Sequence, residues 1–260
     1  MKKSNMRIKN RIWKTILENK VFILGVVLMV LICLIHTFKE ASFANFVPIN
    51  GTFQNYNPVR RFLAGQIPFK DYADYLGLGH LYLGTLFTIL FGGSYQSSLY
   101  AFAFLTFSGF ALFILLISWA VLKNKEKAIV FTTTLLTVIL IVPIFFEDIM
   151  ANSNGLLKAL HYALMPGNSA RMMRGTILVY ACIMICCGYF FYTKWIQNKE
   201  FKFKKYLPYI YIALVAGVSF SWSNDYGIGS WLCLILMNAF LAFSRERKLI
   251  SAIMVLLASI

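Results

Sequence analysis

Charged residues are scarce in this 260-residue chain, and acidic residues are the scarcest of them. Only 13% of the residues are charged, with 25 Lys and Arg against 10 Asp and Glu, while 59% are hydrophobic. An average soluble domain is about a quarter charged and about half apolar. This balance excludes an ordinary soluble domain and indicates a protein that crosses a membrane several times.

Cysteine and histidine are also few, which argues against a disulfide framework and a Cys/His metal site. No cysteine stands at metal-ligand spacing from any of the three histidines, and all five cysteines lie inside apolar runs, as buried or lipid-facing thiols do: Cys33, Cys182, Cys186, Cys187 and Cys233. The net charge of +15 would suit a nucleic-acid binder. However, the Lys and Arg residues stand in short clusters between apolar runs. This is the arrangement found in the cytoplasmic loops of membrane proteins. We therefore expect no nucleic-acid partner.

Apolar runs alternate with these basic clusters, and about 20 helical residues cross a hydrocarbon core of about 30 Å. Residues 1–20 carry seven Lys and Arg and are predicted to be cytoplasmic. The pattern predicts an all-α polytopic helix bundle over residues 21–260, in the plasma membrane, with about seven transmembrane helices. The predicted spans cover residues 21–38, 98–122, 128–146, 175–192, 207–220, 228–243 and 249–260. The last run stops partway, which suggests a truncated chain.

Residues 80–91 form an apolar run of about a dozen residues, which is too short to span a bilayer. If this run crossed, the basic cluster at 123–127 and every later cluster would lie outside. If it does not cross, all four clusters lie inside, as the positive-inside rule expects. We therefore predict that residues 80–91 lie in the outer leaflet or re-enter it, within an external loop over residues 39–97.

A second interfacial helix is predicted earlier in that loop. Asn57 and Pro58 form a typical helix start, with an N-cap residue before a proline at the first helical position. Gly65 is a typical helix stop. Four apolar side chains fall on one face at helical spacing, which predicts a helix lying along the membrane surface: Tyr56, Val59, Phe62 and Leu63.

The segment NPVRRFLAGQIPFKDYADYLGLG, followed by an apolar helix that ends in Phe91-Gly92, resembles the first external loop of the GT-C superfamily of membrane glycosyltransferases. The similarity is to bacterial members that use polyprenyl-phosphate sugars. It covers residues 20–125 and extends more weakly to PGNSARMMRG and WSNDYG. It implies transfer of a sugar to a cell-envelope acceptor on the outer face. Members usually carry an acid just before the amphipathic helix, whereas this chain reads PINGTFQNYNP there.

Asp71 and Asp74 are the candidate catalytic residues that this resemblance leaves. Such a transfer needs a base for the acceptor hydroxyl, or a carboxylate that holds a metal on the phosphate. The alternative interpretation is two solvated loop acids that pair with nearby Lys or Arg side chains. No cofactor is certain, and a divalent metal (Mg or Mn) stays an open option.

Several cationic and polar residues are candidate substrate-binding groups. Each has an ordinary alternative: the arginines as anchors to lipid headgroups, the histidine as a helix cap, and the last aspartate as part of a turn. The arginines would hold a phosphate or diphosphate, and the last aspartate would receive an acceptor hydroxyl. These candidates are Arg60, Arg61, His80, Arg171, Arg174 and Asp225.

Three functions are consistent with these features. The first is a glycosyltransferase-like protein whose partners are membrane lipids, a polyprenyl-phosphate-linked sugar, and an envelope glycan or lipid acceptor. The second is a non-catalytic membrane subunit or truncated relative, which the missing early acid favours. The third is a transporter or flippase of a lipid-linked intermediate, which the lack of charge inside the spans disfavours.

Overall fold

The structure is a computed structural model that describes residues 19–42, 51–74, 76–145, 155, 180–181, 183–185, 188, 207–223 and 226–243. These residues form helices, turns and irregular segments, with a single isolated bridge between Pro68 and Tyr72 and no strand among them. The predicted all-α class is therefore confirmed for the described part of the chain.

The described helices, in chain order, are α1 (Lys20–Ser42), α2 (Gly51–Leu63), α3 (Leu78–Leu90), α4 (Tyr95–Leu122), α5 (Lys125–Leu136), α6 (Val142–Phe145), α7 (Leu207–Trp222) and α8 (Tyr226–Phe243). A π-helical segment, Thr137–Ile141, joins α5 to α6. Two helices are long and apolar enough to cross a membrane, α1 over Lys20–Lys39 and α4. Helices α3, α7 and α8 are apolar but shorter.

Most of the predicted apolar runs coincide with these helices. The runs at 21–38, 98–122, 207–220 and 228–243 correspond to α1, α4, α7 and α8, while the run at 128–146 corresponds to α5, the π-helical segment and α6. Residues 180, 181, 183–185 and 188 of the predicted span at 175–192 are helical. The basic residues 1–18 and the run at 249–260 lie outside the described residues.

One compact unit comprises residues 1–44 and 110–165, and in it α1 packs along α5. Near the start of both helices, the Lys125 ammonium donates to Asn19 Oδ1 and lies 6.0 Å from the centre of the Phe22 ring. Further along, a Cβ on Gly25 would overlap the side chain of Ile129, so the two backbones approach closely. Because Asn19 pairs with Lys125 and Gly25 with Ile129, the two helices run parallel.

The other unit comprises residues 45–109 and 166–260 and contains α2, α3, α7, α8 and the first half of α4. Its core joins α2, α3 and α4 through Val59, Leu81, Phe102 and Leu105, with Trp222 of α7 packed against them. Helices α7 and α8 pack on each other beside a second cluster. Helices α2 and α3 of the predicted external loop are therefore packed against α4 and Trp222.

The predicted start of the first loop helix is wrong. Helix α2 begins at Gly51, so Pro58 lies inside it and not at its first position. A proline inside a helix removes one backbone hydrogen bond, but the core burial of Val59 favours continuing the helix, and Tyr72 Oη donates to the Pro58 carbonyl at 3.2 Å. The predicted stop is confirmed, because the helix ends at Leu63 and Gly65 has a φ of 83°.

Three of the four residues on the predicted apolar face of α2 pack against the protein core. Val59 is fully buried, and Tyr56 and Phe62 pack against the same cluster. Leu63 is 44% exposed. The position of this face along a membrane surface stays a prediction.

Candidate functional site

Asp71 closes a tight turn at the surface of the second unit. Its Oδ2 accepts the Ile67 N–H at 2.7 Å, and its own N–H donates to the Ile67 carbonyl at 2.9 Å. Phe69 N–H donates to the Tyr72 carbonyl at 2.8 Å across the same turn. The side chain of Asp71 is exposed. In this geometry one carboxylate oxygen holds the backbone and the residue faces solvent.

Arg61 reinforces this turn from helix α2. Its Nε donates to Gln66 Oε1 at 2.6 Å, and its Nη2 donates to the Asp71 backbone carbonyl at 3.2 Å. The guanidinium carbon lies 4.7 Å from the centre of the Tyr72 ring, a cation–π contact. Arg61 therefore lies next to Asp71, but its hydrogen bond goes to the backbone and not to the carboxylate.

Arg60 points away from these contacts and stays exposed. Its Nη2 donates to Asn57 Oδ1 at 3.0 Å, one turn earlier on α2, and its guanidinium carbon lies 5.9 Å from the Phe53 ring centre. These are weak surface contacts, so the guanidinium retains donors for an anionic group. Binding of a phosphate by Arg60 and Arg61 stays a prediction.

Asp74 lies only three residues after Asp71 but in the opposite environment. It is 1% exposed, and its Oδ1 accepts the Leu76 N–H at 3.1 Å. Among the described residues its Oδ2 has no hydrogen-bond partner. Residues 73 and 74 are not helical, so the two carboxylates do not share a helical face as a spacing of three would otherwise place them.

Burial raises the pKa of Asp74 above the usual range of an aspartate. Desolvation disfavours the charged form, and hydrogen bonds from the Leu76 and Gly77 N–H groups partly oppose it. Buried carboxyl groups with raised pKa values are typical of general acids and bases, because they titrate closer to neutral pH. Among the described aspartates, Asp74 therefore fits that role better than Asp71.

Tyr72 stands between the two aspartates and is buried. Burial and then the Asp74 charge raise its pKa to about 12, against the lowering effect of Arg61. The phenol therefore stays neutral and serves as a hydrogen-bond donor, which it uses on the Pro58 carbonyl. Tyr72 ties the loop that carries both aspartates to helix α2.

His80 lies in the first turn of α3 and is completely buried. Its Nε2 is 3.2 Å from Oδ1 of Asn55, which is 5% exposed on helix α2. Because an amide oxygen only accepts, Nε2 carries the hydrogen in this pair. The imidazole stacks on the Phe102 ring with centroids 4.6 Å apart. His80 is thus a structural bridge between α2, α3 and α4, and direct binding of a phosphate by it stays a prediction.

Two glycines around the start of α3 allow Trp222 to pack against it. Gly77, with a φ of 103°, would place a Cβ on the backbone of Trp222 and Ser223, and a Cβ on Gly79 would overlap the indole ring. The indole Nε1 is buried and has no hydrogen-bond partner among the described residues. The two glycines of the GLG sequence therefore allow α7 to pack closely against the start of α3. This contact lies next to the segment that carries Asp74.

Comparison of the chain with protein-family models, curated proteins and solved structures found no match.

Three predicted site residues, Arg171, Arg174 and Asp225, lie outside the described residues. A metal site needs several ligands close together. The part of the chain that the structure describes contains no group of three or more His, Cys, Asp or Glu side chains that could hold a metal ion. Among the described residues, Arg61 thus contacts the backbone of Asp71. Asp74 lies on the same loop, two residues after Tyr72.

Sequence reasoning missed Asn55, the buried partner of His80. Asn55 precedes Val59 by four residues and Phe62 by seven, which is one helical face, but the predicted start at Asn57 left it in a loop. It also missed that the buried Cys33 is followed on α1 by two buried polar residues, His36 and Thr37. Their spacing of three and four residues is the signal that would have found them.

Proposed function

We propose that this chain is a glycosyltransferase-like membrane protein that transfers a sugar from a polyprenyl-phosphate donor to a cell-envelope acceptor on the outer face. The observation that carries the proposal is the Asp74 carboxyl group, which is buried with one oxygen lacking a partner among the described residues. An uncompensated buried polar atom costs about 1–3 kcal/mol. A buried carboxyl group with a raised pKa is the environment in which general acids and bases are found.

The reaction follows from the chemistry of the donor. The acceptor hydroxyl oxygen bonds to the anomeric carbon of the sugar, the bond from that carbon to the phosphate oxygen breaks, and the polyprenyl phosphate leaves with the electron pair. Asp74 takes the hydroxyl proton as general base. Arg60, exposed at the end of α2, offers charge to the phosphate. Asp71 keeps the loop in shape by holding the Ile67 N–H.

The topology behind this proposal has seven spans, with residues 80–91 lying at the outer leaflet. The parallel packing of α1 and α5 supports it. If α1 runs outward and only α4 lies between them as a crossing helix, α5 runs outward too and is parallel to α1. If α3 also crossed, α5 would run inward and antiparallel to α1. Contacts of Lys125 with Asn19 and Phe22 favour the first arrangement.

Labelling of single cysteines tests this topology. Ala73 and Lys123 are both exposed, and they lie on opposite sides of α4 in the sequence. A cysteine at Ala73 should react with an impermeant maleimide in intact cells, and one at Lys123 should react only after permeabilisation. Labelling of the Lys123 variant alone in intact cells would overturn the arrangement.

A transfer assay tests the function itself. The purified full chain, in phospholipid vesicles, is incubated with radiolabelled polyprenyl-phosphate sugars and envelope glycan or lipid acceptors, with Mg²⁺, with Mn²⁺ or with EDTA. The proposal expects labelled acceptor that depends on the protein. Folded protein that yields no product from any donor, with or without metal, would favour a non-catalytic subunit instead.

A further inference from the structure

The turn closed by Asp71 holds two apolar side chains out of the protein. We call residues 67–70 the turn tip. Ile67 is 52% exposed and Phe69 is 61% exposed, and both lie in a segment fixed by hydrogen bonds. The carboxylate of Asp71 and the guanidinium of Arg61 anchor the base of the turn. The exposure of these two side chains is therefore a property of an ordered turn.

Phe69 also has a left-handed backbone, with a φ of 63°. This region is disfavoured for bulky residues and is normally occupied by Gly or Asn. Neither the backbone conformation nor core packing favours a phenylalanine at this position. Such outliers cluster at functional sites. An aromatic ring presented at the end of a strained, well-anchored turn points to contact with something beyond the chain.

The turn tip adjoins a second exposed apolar surface on α3. Four exposed side chains are spaced three or four residues apart, or lie next to each other, along one face of this helix: Tyr82, Leu86, Ile89 and Leu90. The rings of Phe62 and Tyr82 meet at 5.5 Å, so the end of α2 that leads into the turn tip lies beside this face. Lys70 on the turn tip and Arg60 on α2 are both exposed. The turn tip and α3 thus expose apolar side chains, and exposed cations lie on the turn tip and on α2.

We propose that the turn tip inserts into the interfacial region of the phospholipid bilayer, with Phe69 and Ile67 among the upper acyl chains and Lys70 among the phosphate groups. Apolar and aromatic side chains flanked by Lys and Arg are the typical composition of a surface that lies in this region. Helix α3 is joined by four residues to α4, which is long and apolar enough to span, so the exposed end of α3 lies near a membrane boundary.

This membrane contact is independent of the proposed transfer reaction. It concerns the surface of the loop, whereas the transfer concerns the buried Asp74. The turn that contacts lipid is continuous with the segment that carries Asp74. Contact of the turn with lipid therefore also restrains the position of that segment. The bilayer thereby holds the loop at headgroup depth, where a lipid-linked phosphate lies.

Photocrosslinking tests the contact directly. p-Benzoylphenylalanine replaces Phe69 in the full chain, keeping an aromatic ring at the position, and the protein is irradiated in phospholipid vesicles. The same residue at Leu24, which is 69% exposed on the spanning helix α1, is the positive control for lipid adducts. Burial of one aromatic side chain favours the inserted state by about tenfold or more. The Phe69 variant should therefore form phospholipid adducts in a yield close to that at Leu24.

Mass spectrometry of the adducts decides between outcomes. Acyl-chain adducts at position 69 support the proposal. Adducts only to protein, or no adduct while Leu24 reacts with lipid, would overturn it. If the Phe69 variant does not fold, as judged by size-exclusion chromatography, p-benzoylphenylalanine at Ile67 gives the same test, since that residue is exposed on the same turn.

Discussion

The side chains of Asn55 and His80 meet at 3.2 Å and link helices α2 and α3 inside the second unit. Both residues are buried, so this polar pair is sealed from water. It fixes the two loop helices against each other, with the segment carrying Asp71 and Asp74 between them. The position of the candidate base thus depends on a hydrogen bond between residues 25 apart in the chain.

Asn55→Ala and His80→Ala should each destabilise the protein, by about 1–3 kcal/mol, because each removes one side of a buried hydrogen bond. The double variant should lose less than the sum of the two, with a coupling energy of about 1 kcal/mol. Chemical unfolding of the protein in detergent micelles measures all four species. Additivity within about 0.3 kcal/mol would contradict the pair.

Gly79→Ala should destabilise the protein by roughly 1–3 kcal/mol, because the new Cβ would overlap the indole of Trp222 and force a shift in the packing. Gly229→Ala is the matched control. Gly229 is also helical, but no atom lies within 4 Å of the position of its added Cβ. This control should be neutral or stabilising by up to about 1 kcal/mol. Equal unfolding midpoints for the two variants would argue against the close approach of Trp222 to α3.

Asp74→Asn should stabilise the protein at neutral pH. The folded-state pKa of Asp74 is raised, so the folded protein binds more protons than the unfolded chain between the ordinary aspartate pKa and the raised value. Stability contributed by this group therefore falls as pH rises through that window. The gain in the Asn variant should grow as pH rises through that window and should vanish at pH values below the ordinary aspartate pKa.

Thermal unfolding of both proteins across pH measures this difference. The exposed Asp71 provides the comparison, since Asp71→Asn retains an acceptor oxygen for the Ile67 N–H. It is the control for replacing a carboxylate in the same loop while its hydrogen bond is kept. A stability difference for Asp74→Asn that is independent of pH would show that its charge does not matter to folding.

Much of the helical architecture could be predicted, because the length of an apolar run indicates a helix and the basic clusters mark where the runs end. Helices α1 and α4 were predicted within a few residues of their ends. The start of α2 could not be predicted, because Asn57-Pro58 has the local chemistry of a helix start. The burial of Val59 and the hydrogen bond from Tyr72 favour a helix that continues through the proline. Tertiary contacts outweighed local propensity there.

The two aspartates show a different limit. Asp71 and Asp74 are alike in residue type and lie in one short loop, so the sequence alone offers little to distinguish them. Their difference arises from a turn at 67–71 that exposes the first, and from packing that buries the second. Burial of this kind depends on α2, α3 and α7 together. Both aspartates stay candidate carboxylates, and the burial of Asp74 is what the proposed role as base rests on.

The central claim is tested most directly by single-turnover sugar transfer from a labelled polyprenyl-phosphate donor, measured for wild type, Asp74→Asn and Asp71→Asn at equal amounts of folded protein. Loss of a general base costs about a hundredfold or more in rate. The account predicts that loss for Asp74→Asn and a nearly unchanged rate for Asp71→Asn, whose amide still accepts from Ile67. Undiminished transfer by folded Asp74→Asn, or a loss confined to Asp71→Asn, would contradict it.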